Sequence, residues 1–203
     1  MNHPYFTKLR RLIDGAITFH DLDRASHYIS EGLRLAGEEE CPGEVLYFRA
    51  QAAIVEGRLP EAVALLQRAL AFNAHDGAAY NDMALCLVEM GRLEGILEIF
   101  DQGIAVEADY ATIHHNKGWL LNKLGRTTEA ILCFEKALAL EPERAVTWEN
   151  MADAYEAQGR FPEALEAYRK ALQFLPEIDG GIREQLESEI ERLRSHEKTK
   201  GQA

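Results

Sequence analysis

Two adjacent histidines, His114 and His115, are the residues of this 203-residue chain whose type most invites a chemical reading. Imidazole can ligate metals and carry protons at neutral pH. On a helix, however, neighbouring residues point about 100° apart, and no third ligand stands at a suitable spacing, so a metal role is set aside. Cys86 and Cys133 fall in apolar patterns and are expected as small core residues, while Cys41 has nothing nearby to activate its thiol. The run Glu38-Glu39-Glu40 is expected to be solvated loop charge. No nucleophile elbow, phosphate-binding loop or HExxH helix is present. The expectation is a non-enzymatic chain with no catalytic residue and no cofactor, so the chemistry left to look for is recognition.

The bulk properties narrow the partners. A net charge of −12 argues against a nucleic-acid backbone, which needs clustered Lys and Arg. No apolar run is long enough to span a membrane, so no membrane insertion is expected. The opening MNHPYFTKLRRLIDG turns polar too soon for a signal peptide. Three widely spaced cysteines fit reduced thiols better than a disulfide framework, which suggests a cytoplasmic location.

The elements that would position a recognition surface are written in a repeat. GRLPEA at 57–62 returns as GRLEGI at 91–96, GRTTEA at 125–130 and GRFPEA at 159–164, each glycine 34 residues after the last. Five residues after each glycine stand Ala62, Ile96, Ala130 and Ala164, and nine after stand Leu66, Phe100, Phe134 and Tyr168. Seven before stand Ala50, Ala84, Gly118 and Ala152. Small residues recur where helices would cross closely, and large ones recur where a gap must be filled. Apolar positions keep three-to-four spacing throughout, and no stretch alternates in period two. The glycine suits a left-handed helix C-cap, Pro60 and Pro162 suit the first turn of the next helix, and Glu61, Glu129 and Glu163 face its dipole. The motif reads as punctuation between two helices. A single hairpin of this length cannot bury its apolar face, so copies must stack.

Trp148, Ala152, Tyr155, Gly159, Ala164, Tyr168, Ala171 and Pro176 together resemble the signature of the tetratricopeptide repeat (TPR) family. The resemblance implies an all-α, right-handed α-solenoid of helix-turn-helix units. Regular units are expected at 43–76, 77–110, 111–144 and 145–178, after a degenerate unit at 6–39 in which His20 takes the glycine's place. A capping helix is expected at 179–198 and a frayed tail at 199–203, with residues 1–178 forming the solenoid. Trp148 is expected in the core.

In that family the first helix of each unit lines a concave groove. Carried onto this chain, the groove row ten before each glycine is Tyr47, Asn81, His115 and Glu149; nine before, Phe48, Asp82, Asn116 and Asn150. Six before stand Gln51, Leu85, Trp119 and Asp153, and three before stand Ile54, Val88, Asn122 and Glu156. Trp119 lies off the packing pattern, where a large rigid ring could anchor a partner or pack between units. The row Asp82, Asn116, Asn150 looks like the asparagine ladder in the TPR arm of O-GlcNAc transferases, which pairs with a ligand backbone. Chaperone-binding members hold a C-terminal carboxylate with cations. Tyr47, Gln51, Asp82, Thr112 and Asn116 supply none, which argues against an Hsp70 or Hsp90 C-terminus.

The leading expectation is a protein-interaction scaffold or adaptor that holds a peptide or helical segment, apolar at one end and basic at the other. One alternative is an accessory or regulatory subunit of an enzyme, secretion or pilus-type complex, bound through its convex face or edges. A second is a module that self-associates into a homo-oligomer.

Overall fold

The computed structural model describes residues 4–18, 20–176 and 180–200, with side chains at all of these except 180 and 196–200. Among the described residues there are eleven helices and no strand. Five hairpins follow one another: α1 (Pro4–Thr18) with α2 (Leu22–Glu38), α3 (Pro42–Val55) with α4 (Leu59–Phe72), and α5 (Gly77–Glu89) with α6 (Ile96–Val106), then α7 (Ala111–Lys123) with α8 (Thr127–Leu140), and α9 (Ala145–Ala157) with α10 (Phe161–Phe174). A last helix, α11 (Gly180–Lys200), packs on α10. The chain divides into two compact units, residues 1–108 and 109–203, and within each unit successive helices pack against one another. The chain is an all-α protein of stacked helical repeats.

The turn motif works as its chemistry suggests, with one addition. Gly57, Gly91, Gly125 and Gly159 have φ of 72°, 73°, 76° and 71°, the left-handed region that a side chain disfavours. The arginine after Gly57, Gly125 and Gly159 then reaches the glutamate three residues on: Arg58 to Glu61, Arg126 to Glu129 at 2.7 Å, and Arg160 to Glu163 at 2.9 Å. This pairing ties the turn to the first turn of the next helix. The second copy has Gly95 where the others have glutamate, and it departs from them. Gly95 is itself left-handed at φ 74°, and α6 begins only at Ile96, with 11 residues against 14 in α4, α8 and α10. In the first hairpin His20 holds the left-handed turn at φ 56° without being glycine, and Asp21 caps α2 by accepting the Arg24 N–H at 3.1 Å.

Small and large positions meet as the spacing predicts. A Cβ built on Gly118 would lie 2.7 Å from the Phe134 ring, so the ring occupies the space that glycine leaves. Trp148 differs from expectation. It is half-buried, because its indole N–H donates to the Pro142 carbonyl at 2.8 Å near the surface instead of entering the core without a partner.

On α11, Leu186, Ile190 and Leu193 are buried at 1%, 5% and 1% exposure, while Glu184, Glu187 and Glu191 face outward. The helix continues through Lys200, past the point at which fraying was expected, and residues 177–179 and 201–203 lie outside the described residues. Deleting residues 180–203 should therefore bare the face of α10 that packs on α11. The expected result is a lower melting temperature with fraying that starts in α10, and aggregation on concentration. Thermal melts with light scattering would show it; a truncated chain that stays monomeric with the same melting curve would mean that α11 contributes no packing.

Candidate partner-binding face

In residues 1–108 the expected groove positions are largely taken by the chain itself. Arg10 of α1 donates to both oxygens of Asp76, at 2.7 and 2.9 Å, and to Glu44 at 3.0 Å, and its guanidinium lies 3.7 Å from the centre of the Tyr47 ring. The Arg10 side chain is 16% exposed and that of Asp76 6%. Asp82 accepts from the Tyr47 hydroxyl at 2.9 Å, from Gln51 Nε2 at 2.5 Å and from Asn81 Nδ2 at 3.0 Å. Burial, and then the charge of Asp14, push the Asp82 carboxyl up to about 6, although the three donors act in the opposite direction. Tyr47, Gln51 and Asn81, expected on an open groove, are thus buried at 4%, 4% and 0% exposure. The reason is electrostatic: acidic and amide groups on α3 and α5 converge on one another and on a cation from α1. Leu85, Val88 and Ile54 are half-buried, Ile54 against the cluster of Ala53, Ala62 and Cys86.

Arg10 was missed by sequence reasoning, yet its signal was there. It stands ten residues before His20, in the same row as Tyr47, Asn81 and His115. The non-glycine anchor and an irregular spacing before Gly57 hid the register.

Residues 109–203 keep a more open face. Asn116, Trp119 and Asn122 follow one another at intervals of three on α7, all half-buried. One unit later Asn150, Asp153 and Glu156 form the matching row on α9, where Asp153 is exposed and Asn150 Nδ2 donates to the Val146 carbonyl at 2.9 Å. Residues spaced by three lie on one side of a helix. The Asn122 side-chain carbonyl is buried and has no hydrogen-bond partner. An orphaned acceptor of this kind is costly and is uncommon in folded proteins.

His115 leaves the face. It is 6% exposed, with Nδ1 3.0 Å from the hydroxyl of fully buried Thr147 and the ring against Phe134. His114 is buried too, at 8%. Burial, and then the charge of Arg144, push the His115 imidazole down to about 3, so the ring is neutral in the fold. Its stabilising contribution is complete above an ordinary histidine pKa of about 6.5 and is lost as pH falls from there toward 3, because the unfolded chain then takes up a proton that the fold refuses. Asp82 has the opposite sign: its contribution is complete below about 3.8 and is lost as pH rises to about 6. Acidification from pH 6.5 to 4 should therefore weaken residues 109–203 selectively, and His115→Leu should flatten that slope. An NMR titration that found His115 ionising near 6.5 would sink this expectation.

Beside Asp153 a cavity of about 460 Å³ opens between α9, α10 and α11. Glu149, Asp153 and Glu156 line it from α9, Tyr168 from α10, and Glu189 and Arg192 from α11. Tyr168 donates its hydroxyl to Asp153 at 2.5 Å. Glu189 and Arg192 stand 36 residues after Asp153 and Glu156, two more than the repeat. Extrapolation by 34 would have pointed to Glu187 and Ile190 instead.

Among known proteins, profiles described as tetratricopeptide repeat match residues 11–81, 53–119 and 109–177. No curated protein matches the sequence significantly. Among solved structures, TTC0263, a thermophilic TPR protein in Thermus thermophilus, is 24% identical with a TM-score of 0.69, over 90% of this chain and 97% of that one. YrrB, described as a TPR protein with an unusual peptide-binding site, is 18% identical with a TM-score of 0.57, over 83% and 86%. The first TPR of Spaghetti (RPAP3), solved with the HSP90 peptide SRMEEVD, is 15% identical with a TM-score of 0.55, over 58% and 94%. The repeat profiles run almost without a break along the hairpins α1 to α10, and these folds share their architecture: the chain belongs to the tetratricopeptide repeat family.

Proposed function

We propose that this chain is a non-catalytic interaction protein that holds a peptide or helical segment of a partner across α7 and α9. The observation that carries the reading is the row Asn116, Trp119, Asn122: an indole outside the core, followed on the same side by a buried carbonyl that lacks a donor. Trp119 offers the rigid surface against which a partner segment would lie, and a turn of the half-buried Asn122 amide would bring its carbonyl to a backbone N–H of that segment. Two structural relatives, one described by its peptide-binding site and one solved with a peptide, support the reading for a fold of this kind. The RPAP3 peptide is acidic and the face here is not basic, so a different ligand chemistry is called for.

Capture of partners from native extract, with the full chain and its Trp119→Ala variant as paired baits, tests the reading. A partner held equally by both baits would place binding elsewhere, on the convex face or an edge. Asn122→Ala adds a test with a distinctive sign. Removing an unsatisfied buried acceptor should leave the free chain as stable or more stable, since such a group costs about 1–3 kcal/mol. The same change should weaken partner binding by about 1 kcal/mol, the net value of a neutral hydrogen bond. A variant that lost stability in denaturant melts would mean that Asn122 already serves the fold.

A further inference from the structure

We propose that Thr147 and Arg144 are positioning residues: their hydrogen bonds to α7 hold that helix in the rotation that puts Trp119 on the partner-binding face. This rests on the partner-binding reading and names what presents its anchor. At about 100° per residue, Thr112, His115, Trp119 and Asn122 fall within about 80° of one another around α7, so they form a single stripe. The stripe changes character along its length. Residues 111–115 are all buried, whereas Trp119 and Asn122 are half-buried.

The buried half of the stripe is tied to the start of α9. Arg144, the residue before that helix, donates from Nη1 to the Thr112 hydroxyl at 2.9 Å. The hydroxyl of Thr147, in the first turn, lies 3.0 Å from His115 Nδ1. Both rungs join residues 32 apart. The same offset pairs Trp119 with Met151 and Asn122 with Ala154, neither of which carries a side-chain donor. The polar ladder therefore stops where the open row starts. Residues 1–108 show the other outcome: Gln51 stands in the row of Trp119, donates to Asp82 at 2.5 Å, and is closed off at 4% exposure.

These rungs can set a rotation because hydrogen bonds are directional and apolar contacts are not. The Phe134 ring of α8 lies against His115 and fills the space beside Gly118, which fixes how closely α7 approaches. A hydroxyl both donates and accepts, so Thr147 satisfies the imidazole in either neutral tautomer. Thr147 is fully buried and His115 is 6% exposed. An imidazole that lost the hydroxyl would regain a partner only by turning α7 toward solvent. Trp119, four residues on and on the same side, would turn with it.

The test reads Trp119 alone, in the full chain carrying Trp148→Phe. Thr147→Val keeps the shape of the side chain and removes the hydroxyl. In a chain still helical by circular dichroism, it should shift Trp119 emission to the red and increase its quenching by acrylamide. Thr147→Ser should restore both. A hydroxyl that served only stability would lower the melting temperature and leave the native emission in place. Should Thr147→Val lose its helices, Arg144→Met decides by the same readout, because it removes the Thr112 rung and keeps a stem at a site 19% exposed. Native emission in the helical variant, or a displacement that Thr147→Ser does not reverse, would overturn the proposal. No partner enters this measurement, so its failure is distinct from failure of the partner-binding reading, which partner capture decides.

Discussion

Replacing Arg10 with Ala should cost about 3–5 kcal/mol of stability in residues 1–108, the range for breaking a buried ion pair by removing one partner. Most of the loss is the charge left behind. Glu44 and Asp76 are 15% and 6% exposed, and without the guanidinium they repel each other in a site too enclosed for water to screen them. The Tyr47 ring loses its stacked cation in the same step. Arg10→Lys should not rescue fully, because one ammonium cannot reproduce the paired bonds to both Asp76 oxygens together with the stack. The readout is regional: both tryptophans, Trp119 and Trp148, lie in residues 109–203, so their fluorescence reports that unit. Amide hydrogen exchange on α1, α3 and α5 reports the other. Exchange there should accelerate strongly in Arg10→Ala, and a stability change below about 1 kcal/mol would show that water enters the site and screens the pair.

Trp119→Ala should weaken partner binding by about 2 kcal/mol or more, the hot-spot threshold, which is roughly thirtyfold in affinity. Because the ring is half-buried, the cost in folding stability should stay below the about 3–5 kcal/mol of a core Trp truncation. A denaturant melt and a titration with the captured partner separate the two roles. A large loss of stability with unaltered affinity would make Trp119 a packing residue and leave Asn116 and Asn122 as the remaining support for the site.

What the sequence made legible was what is local. Each turn is fixed by one glycine and the few residues after it, so a period of 34 was enough to locate the hairpins α3 to α10. Facing was harder to read. Whether the row of Tyr47, Asn81 and His115 points to solvent or to the neighbouring helix depends on a modest rotation of each helix, and residue type alone does not set that. His115 shows the difficulty: a polar residue in a groove row, yet buried because Thr147, 32 residues away, offers a hydroxyl. Insertions hid the rest. An irregular spacing before Gly57 concealed Arg10, and the two extra residues before α11 moved Glu189 and Arg192 off the expected register.

The late start of α6 leaves residues 91–95 as an exposed connector with left-handed glycines at both ends and, among the described residues, no arginine–glutamate clasp of the kind that closes the turns at 57, 125 and 159. Backbone of this kind opens without disturbing packed side chains, which makes it both the natural entry point for a protease and the place where the chain best tolerates added sequence. An epitope tag or fluorophore attachment site inserted between Leu93 and Glu94 would belong neither to the Arg10 network nor to α7, α9 and α11. It would let the protein be tracked or immobilised with both of its ends, and the residues proposed to meet its partner, left unaltered.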